Sequence, residues 1–444
     1  MLAVVAFGAD TLKWHTDKET LDVDLTDVPL IPALERLAAQ TGWHIYLEPA
    51  PGRTFTTKFT GLSRGEAMRV LMGDMNYAFV SQPDGQTKLF VFRTSREAAT
   101  YQIVGKAKPA AAGPAVKPVP NQIVVRLKPG AKIEGIAAKL GAKVKARIGS
   151  LNAYLLEFDD SAQTDAGRQA LSSDQDVASF ESNYYVEPPP AGQQLNSAPI
   201  PPVQLALNPP PADGRVVVGL VDTAVQNAST GLQKFLLPQV SVAGDAVAST
   251  DPTHGTSMAE TVLRAVQAAS SGATTVQVLP VDVYGPSPTT TTFDVANGIV
   301  QAVNGGATII NLSLGGTGDS SFLHSVITDV TGRQIPVFGA AGNTPVTTPT
   351  YPAAYPEVIS VTASAGQGTL ADYANRGSFV DMIAPGNSIV YFNGQPWLVT
   401  GTSAASAFAA GLAAGVSDAR HVSPVDAANA VKASMPFTPP PAAK

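Results

Sequence analysis

Three residues between positions 222 and 403 have the side chains and surroundings for nucleophilic catalysis. Asp222 directly follows the apolar run VVVGLV, which places its carboxylate at the carboxyl end of a strand. His254 opens HGTSMAETV, a helix start, and Ser403 lies in TGTSAASAFAAG, where Gly401 and Thr402 lead into a helix of small residues. A serine at a helix N-terminus has backbone N–H groups and the helix dipole beside it, and both favour a developing oxyanion. Its hydroxyl is a weak nucleophile until a base takes the proton. Imidazole does so near neutral pH, and a buried carboxylate can hold its tautomer and stabilise the imidazolium. Asn343, in GAAGN after the run PVF, can supply a side-chain oxyanion donor, with the Ser403 backbone N–H as the other. Taken singly, each residue has a plainer reading: a helix cap for Ser403, a strand-end turn for Asp222, a helix N-terminal residue for His254. Only their combination and order point to catalysis.

The elements that must position them alternate between strand and helix. Val216–Val221, Val276–Val283, Thr308–Leu312, Pro336–Ala340 and Val358–Val361 are short Val- and Ile-rich runs, suited to strands buried on both faces. Helical spacing intervenes, as at Phe293, Ala296, Ile299, Val300 and Val303. The pattern predicts an α/β domain with a parallel, doubly wound sheet over about 214–435, whose functional residues sit beyond the carboxyl ends of the strands. His324 and His44 are expected to be structural, and Asp282 and Asp372 solvated or structural. Gly-x-Ser-x-Gly is absent around Ser403, which argues against an α/β-hydrolase esterase.

Proline marks the joints. Pro109, Pro114, Pro118 and Pro120 read as one extended linker, and Pro188–Pro211 with nine prolines as a second; neither should host a helix or a central strand. Two small α+β domains are therefore expected upstream, at 20–95 and 121–187. The first contains a repeat at an offset of 34 residues: Leu25, Val28, Ala33, Leu34, Leu37, Trp43 and Ile45 align with Phe59, Leu62, Ala67, Met68, Leu71, Tyr77 and Phe79. Each copy reads strand, helix, strand, with Lys88–Arg93 adding an edge strand. The segment LDVDLTDVPLIPALERLAAQTG resembles the secretin and TonB short N-terminal domain, which implies docking to a cell-envelope protein. The second, at 121–187, reads as β-α-β-β-α-β, a ferredoxin-like order.

The motifs of the third region jointly resemble the subtilases, the subtilisin-like peptidase S8 family. VDTAV, HGTSMA, NLSLGG, AAGN, YPAAYPEVISVTA, IAPG and GTSAA occur in the family's order across essentially all of 214–435. The resemblance implies a serine endopeptidase with Asp222, His254 and Ser403 as triad and Asn343 in the oxyanion hole. It further implies that Ser313, Leu314 and Gly315 form the edge that pairs with a peptide substrate. Ala340, Ala341 and Gly342 would form a P1 wall whose small side chains leave room for a sizeable residue. The region at 121–187 would be a propeptide, folding and inhibiting the enzyme, with Val186 to about Asn208 near the cleft and containing a self-cleavage site. Two departures stand out: Ala224 replaces the glycine of the family's DTG, and Ala407 and Phe408 replace the usual Pro-His after the nucleophile. The alternative is a catalytically silent subtilase fold that binds peptides as an envelope scaffold.

Composition narrows the classes. The 444 residues carry net charge −6 with 29 Lys and Arg and no basic run, so nucleic acid is not an expected partner. Cysteine is absent, which removes disulfides and thiolate chemistry. No apolar stretch is long enough to span a bilayer. The apolar start Met1–Ala9 could be the remnant of a secretory signal but lacks a positively charged n-region, and a secreted or periplasmic location is expected. The reading assigns no metal and no cofactor.

Overall fold

The computed structural model describes residues 11–15, 18–48, 54–73, 75–81, 87–94, 101–103, 117–187, 192–195, 205–210, 215–227, 231–270, 272–366 and 368–439. The start Met1–Ala9 and most of the two proline-rich stretches lie outside them. The chain divides into two compact units, Met1–Ala112 and Gly113–Lys444.

The larger unit is built on a parallel sheet. Its strands lie in the order Val240–Ser241, Val276–Asp282, Val216–Asp222, Ile309–Leu312, Val337–Ala340 and Val358–Gly366. Met382–Pro385 also pairs in parallel with the last of these. Every residue of Val216–Asp222 is buried, as expected for a central strand covered on both faces. On one face Val216, Val218 and Leu220 pack with Met258 and Val262 of the helix His254–Ala269 and with Ala405 and Ala409 of the helix Thr402–Arg420. On the other, Val217 and Val221 meet Phe293 and Ile299 of Thr292–Asn304 and Val326 of Ser321–Gly332. Each fully buried Val, Leu or Ile contributes roughly 1.5–3 kcal/mol. The strand Val216–Asp222 has Val276–Asp282 on one side and Ile309–Leu312 on the other, so the winding reverses beside it. Such a switch point opens a crevice at the carboxyl ends of the strands, where Asp222 and Ser313 lie.

Upstream, the strands Pro118–Leu127, Lys143–Ile148, Ala153–Glu157 and Val177–Val186 and the helices Ile133–Leu140 and Ser161–Ser173 follow the anticipated β-α-β-β-α-β order. They form a sheet ordered fourth, first, third, second, extended by Thr290–Thr291, which pairs with Tyr185 and Val186. One expectation is corrected. Pro118 and Pro120 belong to an interior strand, not to a linker. They occupy its first residues, ahead of Gln122, where pairing to Ala153–Glu157 begins, so their missing N–H groups interrupt no ladder on that side.

In the smaller unit both repeat copies take the expected form: Thr20–Pro29, Leu30–Thr41, His44–Leu47, then Thr54–Ser63, Arg64–Met72, Asn76–Ser81. The first strands of the copies pair antiparallel. The strand Thr87–Phe92 is interior, not an edge: it pairs with Asn76–Ser81 on one side and His44–Leu47 on the other, with Tyr101–Ile103 beyond. Leu89 and Val91 are fully buried there, and a strand with that much apolar surface gains more inside the sheet than at its rim.

Candidate active site

Asp222 ends its strand with the side chain 1% exposed, and His254 begins its helix with the side chain 7% exposed. The imidazole Nδ1 lies 2.7 Å from Asp222 Oδ1 and 3.0 Å from Oδ2. Local chemistry holds the pair. Thr223 N–H donates to Asp222 Oδ1 at 2.7 Å, and Gly255 N–H donates to Thr223 Oγ1 at 2.8 Å. Thr253 caps the helix by accepting from Thr256 N–H and donates to the Ala224 carbonyl at 2.6 Å. A Cβ on Gly255 would stand 2.0 Å from the Thr223 carbonyl oxygen, so only glycine permits this approach of helix to strand. Ala224, in the position of the family's glycine, is buried and its backbone is not left-handed, which explains why a side chain is accommodated. Burial, with the Asp222 charge adding to it, pushes the nearby Tyr284 phenol well above its ordinary range and keeps it neutral.

Ser403 is the second residue of its helix and lines a cleft with Ser313, Leu314, Gly315, Ala340 and Gly342. Asn343 and Thr402 line it too. Ala341 is fully buried, and its carbonyl accepts from Asn375 instead of facing the cleft. The Ser403 hydroxyl donates to the Ser313 carbonyl at 3.2 Å and is turned toward the main chain. Ser313 Oγ in turn donates to the Ser403 carbonyl at 3.0 Å and accepts from Asn311 Nδ2 at 2.8 Å, while Ser406 donates to Asn311 Oδ1 at 2.8 Å. This closed network of buried side chains ties the sheet edge to the helix that carries the serine.

Thr402 is the residue that motif reading missed. Its backbone N–H and its hydroxyl both donate to Asn343 Oδ1, at 2.8 and 3.0 Å, and the hydroxyl accepts from Gly342 N–H at 3.0 Å. With Oδ1 held, the Asn343 amide nitrogen is left for a ligand. A threonine beside a serine at a helix start reads in sequence as an N-terminal residue, and nothing in the spacing ties it to a loop 59 residues away.

The cleft already holds a peptide segment. Glu187, just past the strand Val177–Val186, pairs antiparallel with Gly315, and its carbonyl accepts from Tyr284 Oη at 3.3 Å. Behind it, Asn183 Oδ1 accepts from Thr292 Oγ1 and Phe293 N–H at 3.1 Å each, and Glu181 accepts from Ser320 Oγ and from Phe322 N–H. Two helices of the parallel-sheet domain thus have their N-termini satisfied by the upstream domain. Among the described residues no group of three or more His, Asp or Glu is placed to hold a metal ion, and no helix is long and apolar enough to cross a membrane.

A parallel α/β domain with a histidine–aspartate pair and a serine at a helix start defines a subtilisin-like fold, preceded by a small domain seated on its cleft. Residues 213–435 match the subtilase family, and residues 105–183 match the fervidolysin N-terminal prodomain. The chain belongs to the subtilase family and is a subtilase-type serine protease with a prodomain. It is 34% identical to thermitase of Thermoactinomyces vulgaris over 203 residues, which are 44% of this chain and 72% of thermitase. It is 29% identical to subtilisin amylosacchariticus of Bacillus subtilis subsp. amylosacchariticus over 308 residues, 64% of this chain and 75% of that protein. The crystal structure of fervidolysin from Fervidobacterium pennivorans superposes with a TM-score of 0.53 at 18% identity, covering 72% of this chain and 60% of that one, a likeness of fold.

Proposed function

We propose that this chain is a self-processing serine endopeptidase acting on protein or peptide substrates, with Asp222, His254 and Ser403 as its triad. The observation that carries the reading is Glu187 paired antiparallel with Gly315 in the cleft lined by Ser403, a peptide laid where a substrate would lie. A substrate strand pairs with the Ser313–Gly315 edge. The Ser403 hydroxyl leaves the Ser313 carbonyl and passes its proton to His254 Nε2 as Oγ attacks the scissile carbonyl. Asp222 holds Nδ1–H and stabilises the imidazolium. Asn343 Nδ2 and the Ser403 N–H stabilise the oxyanion, His254 then protonates the leaving amine, and water releases the acyl group by the reverse sequence. The domain around 121–187 acts as the enzyme's own inhibitor until it is cut away. The smaller unit serves as a docking module of the secretin and TonB short N-terminal kind, with the enzyme working in the periplasm or outside the cell.

A silent peptide-binding scaffold is the second reading, favoured by one observation: the Ser403 hydroxyl is bonded to the Ser313 carbonyl. Fluorophosphonate labelling separates the two, because only an activated serine reacts. The same samples, wild type and Ser403→Ala, are followed by intact mass over hours at about pH 8. Labelling of the wild type together with self-cleavage in the Pro188–Pro211 neighbourhood, both lost in the alanine variant, is expected. No label and no cleavage would leave the scaffold.

A further inference from the structure

Asn375 lies in the turn after the short strand Thr369–Leu370 and is 1% exposed. Its side chain spends all of its hydrogen-bonding capacity on the loop that carries Asn343. Oδ1 accepts from the N–H groups of Thr344 at 3.0 Å and Val346 at 3.4 Å. Nδ2 donates to the Ala341 carbonyl at 2.7 Å and to Thr350 Oγ1 at 2.9 Å. The Asn375 backbone N–H donates to the Gly342 carbonyl at 3.0 Å, and its own carbonyl accepts from Thr362 Oγ1 at 2.6 Å. Thr362 belongs to the sheet strand Val358–Gly366, so the turn is anchored to the core. A carboxamide offers two donor hydrogens and an oxygen with two lone pairs, and here each is matched.

The partners bracket Asn343: residues 341 and 342 precede it, and 344, 346 and 350 follow. The strand Val337–Ala340 ends before this loop begins, and of the residues around Asn343 only Ala341 still bonds to the sheet, its N–H donating to the Val361 carbonyl at 3.0 Å. At Gly342, with φ +107°, a Cβ would stand 2.4 Å from Asn375 Nδ2, which shows how closely the loop is drawn onto that amide. Thr402 sets the rotation of the Asn343 carboxamide by holding its oxygen. The main chain that carries Asn343 is held by Asn375.

We propose that Asn375 is a positioning residue for the oxyanion hole, placing the Asn343 amide through the backbone on both sides of it. The inference rests on the serine-peptidase reading above. Misplacing a reacting or stabilising group by about 1 Å costs on the order of a hundredfold in rate.

The test uses the full chain and a fluorophosphonate, with kinact and KI measured separately, alongside hydrogen exchange of the 341–350 segment. Asn375→Asp keeps the shape and an oxygen to accept from Thr344 and Val346 but sets a second oxygen against the Ala341 carbonyl, and Asn375→Ala removes all four bonds. Both variants are expected to lower kinact about ten- to a hundredfold, with KI changed less than about threefold. Exchange at 341–350 should quicken while the thermal midpoint moves by only a few degrees. The Asp deficit should shrink as pH falls, because a protonated carboxyl donates again. If Asn375→Ala does not fold, Asn375→Asp decides. Wild-type labelling with kinact of the folded variants within about threefold, or a loss confined to KI, overturns this role and leaves the peptidase reading intact. A wild type that does not label at all overturns the peptidase reading and this role with it.

Discussion

Thr402 decides which atom of the Asn343 carboxamide is left without a partner in the cleft. Its two bonds to Asn343 Oδ1 leave Nδ2, the atom the proposed oxyanion hole requires, so substitutions at the two positions should act on the same step. Asn343→Ala is expected to lower kcat by about a hundred- to a thousandfold with little change in KM, a range that itself rests partly on subtilisin. Thr402→Val, which keeps the size and the backbone N–H, should cost about tenfold in kcat by the loss of the hydroxyl's bond to Asn343 and of the bond it accepts from Gly342 N–H. A double-variant cycle on a chromogenic peptide anilide checks the coupling, and additive effects would separate the residues. Thr350 acts on the other side of the cleft. Its methyl stands 3.1 Å from where a Gly315 Cβ would be, and its hydroxyl 3.3 Å from the corresponding point on Gly342, so it lies between the two walls. The expectation of a roomy P1 site from Ala340, Ala341 and Gly342 left this side chain out. Thr350→Ser removes the methyl and keeps the bond to Asn375; kcat/KM for a Phe over an Ala substrate should rise by about tenfold. An unchanged ratio would remove Thr350 from P1 selection.

At the scale of elements, the histidine is delivered by a helix that starts almost in contact with the Asp222 strand. Gly255→Ala would drive a methyl into the Thr223 carbonyl, and relief must come from shifting the helix start. About 1–3 kcal/mol of stability and much of the fluorophosphonate labelling should be lost together. The prodomain works on elements as well, since Glu181 and Asn183 complete the N-termini of two helices. Burial outweighs the donors from Ser320 and Phe322 and pushes the Glu181 carboxyl above its ordinary range. An acid whose pKa is raised in the assembled state favours that state at low pH, and the contribution is lost as pH rises through the raised value. In a Ser403→Ala background, Glu181→Gln should therefore match the parent in thermal midpoint near pH 4 and exceed it progressively toward neutral pH. A constant difference between the two would show that Glu181 does not titrate in this range.

The whole molecule consists of two compact units, and the division carries its own expectation. The core of Gly113–Lys444 draws on the prodomain sheet, with Val124, Leu155 and Val186 packed among Val217, Phe293 and Leu314. The core of the first unit, from Leu21 to Val91, is separate. A chain lacking residues 1–112 should keep its fluorophosphonate reactivity and the thermal midpoint of the larger unit. Loss of both would make the first unit part of the folding unit of the second.

Local order was legible where a residue's role depends on its own neighbours in the chain. The Val- and Ile-rich runs specified buried strands, the 34-residue offset specified two strand–helix–strand copies, and the order Asp222, His254, Ser403 with its flanking motifs specified the family. What sequence could not specify was partnership between distant segments. Pro118 and Pro120 read as a linker because an unpaired proline and a proline at the overhanging start of an interior strand look alike in one dimension. Thr87–Phe92 read as an edge because its second neighbour is assigned by topology, not by composition. Thr402 lies within the GTSAA motif, but its tie to Asn343 has no local signature, and Thr350 and Asn375 have none either. Each acts through side-chain hydrogen bonds to residues at least 25 positions away, as from Asn375 to Thr350, and such pairings exist only once the sheet has brought its loops together.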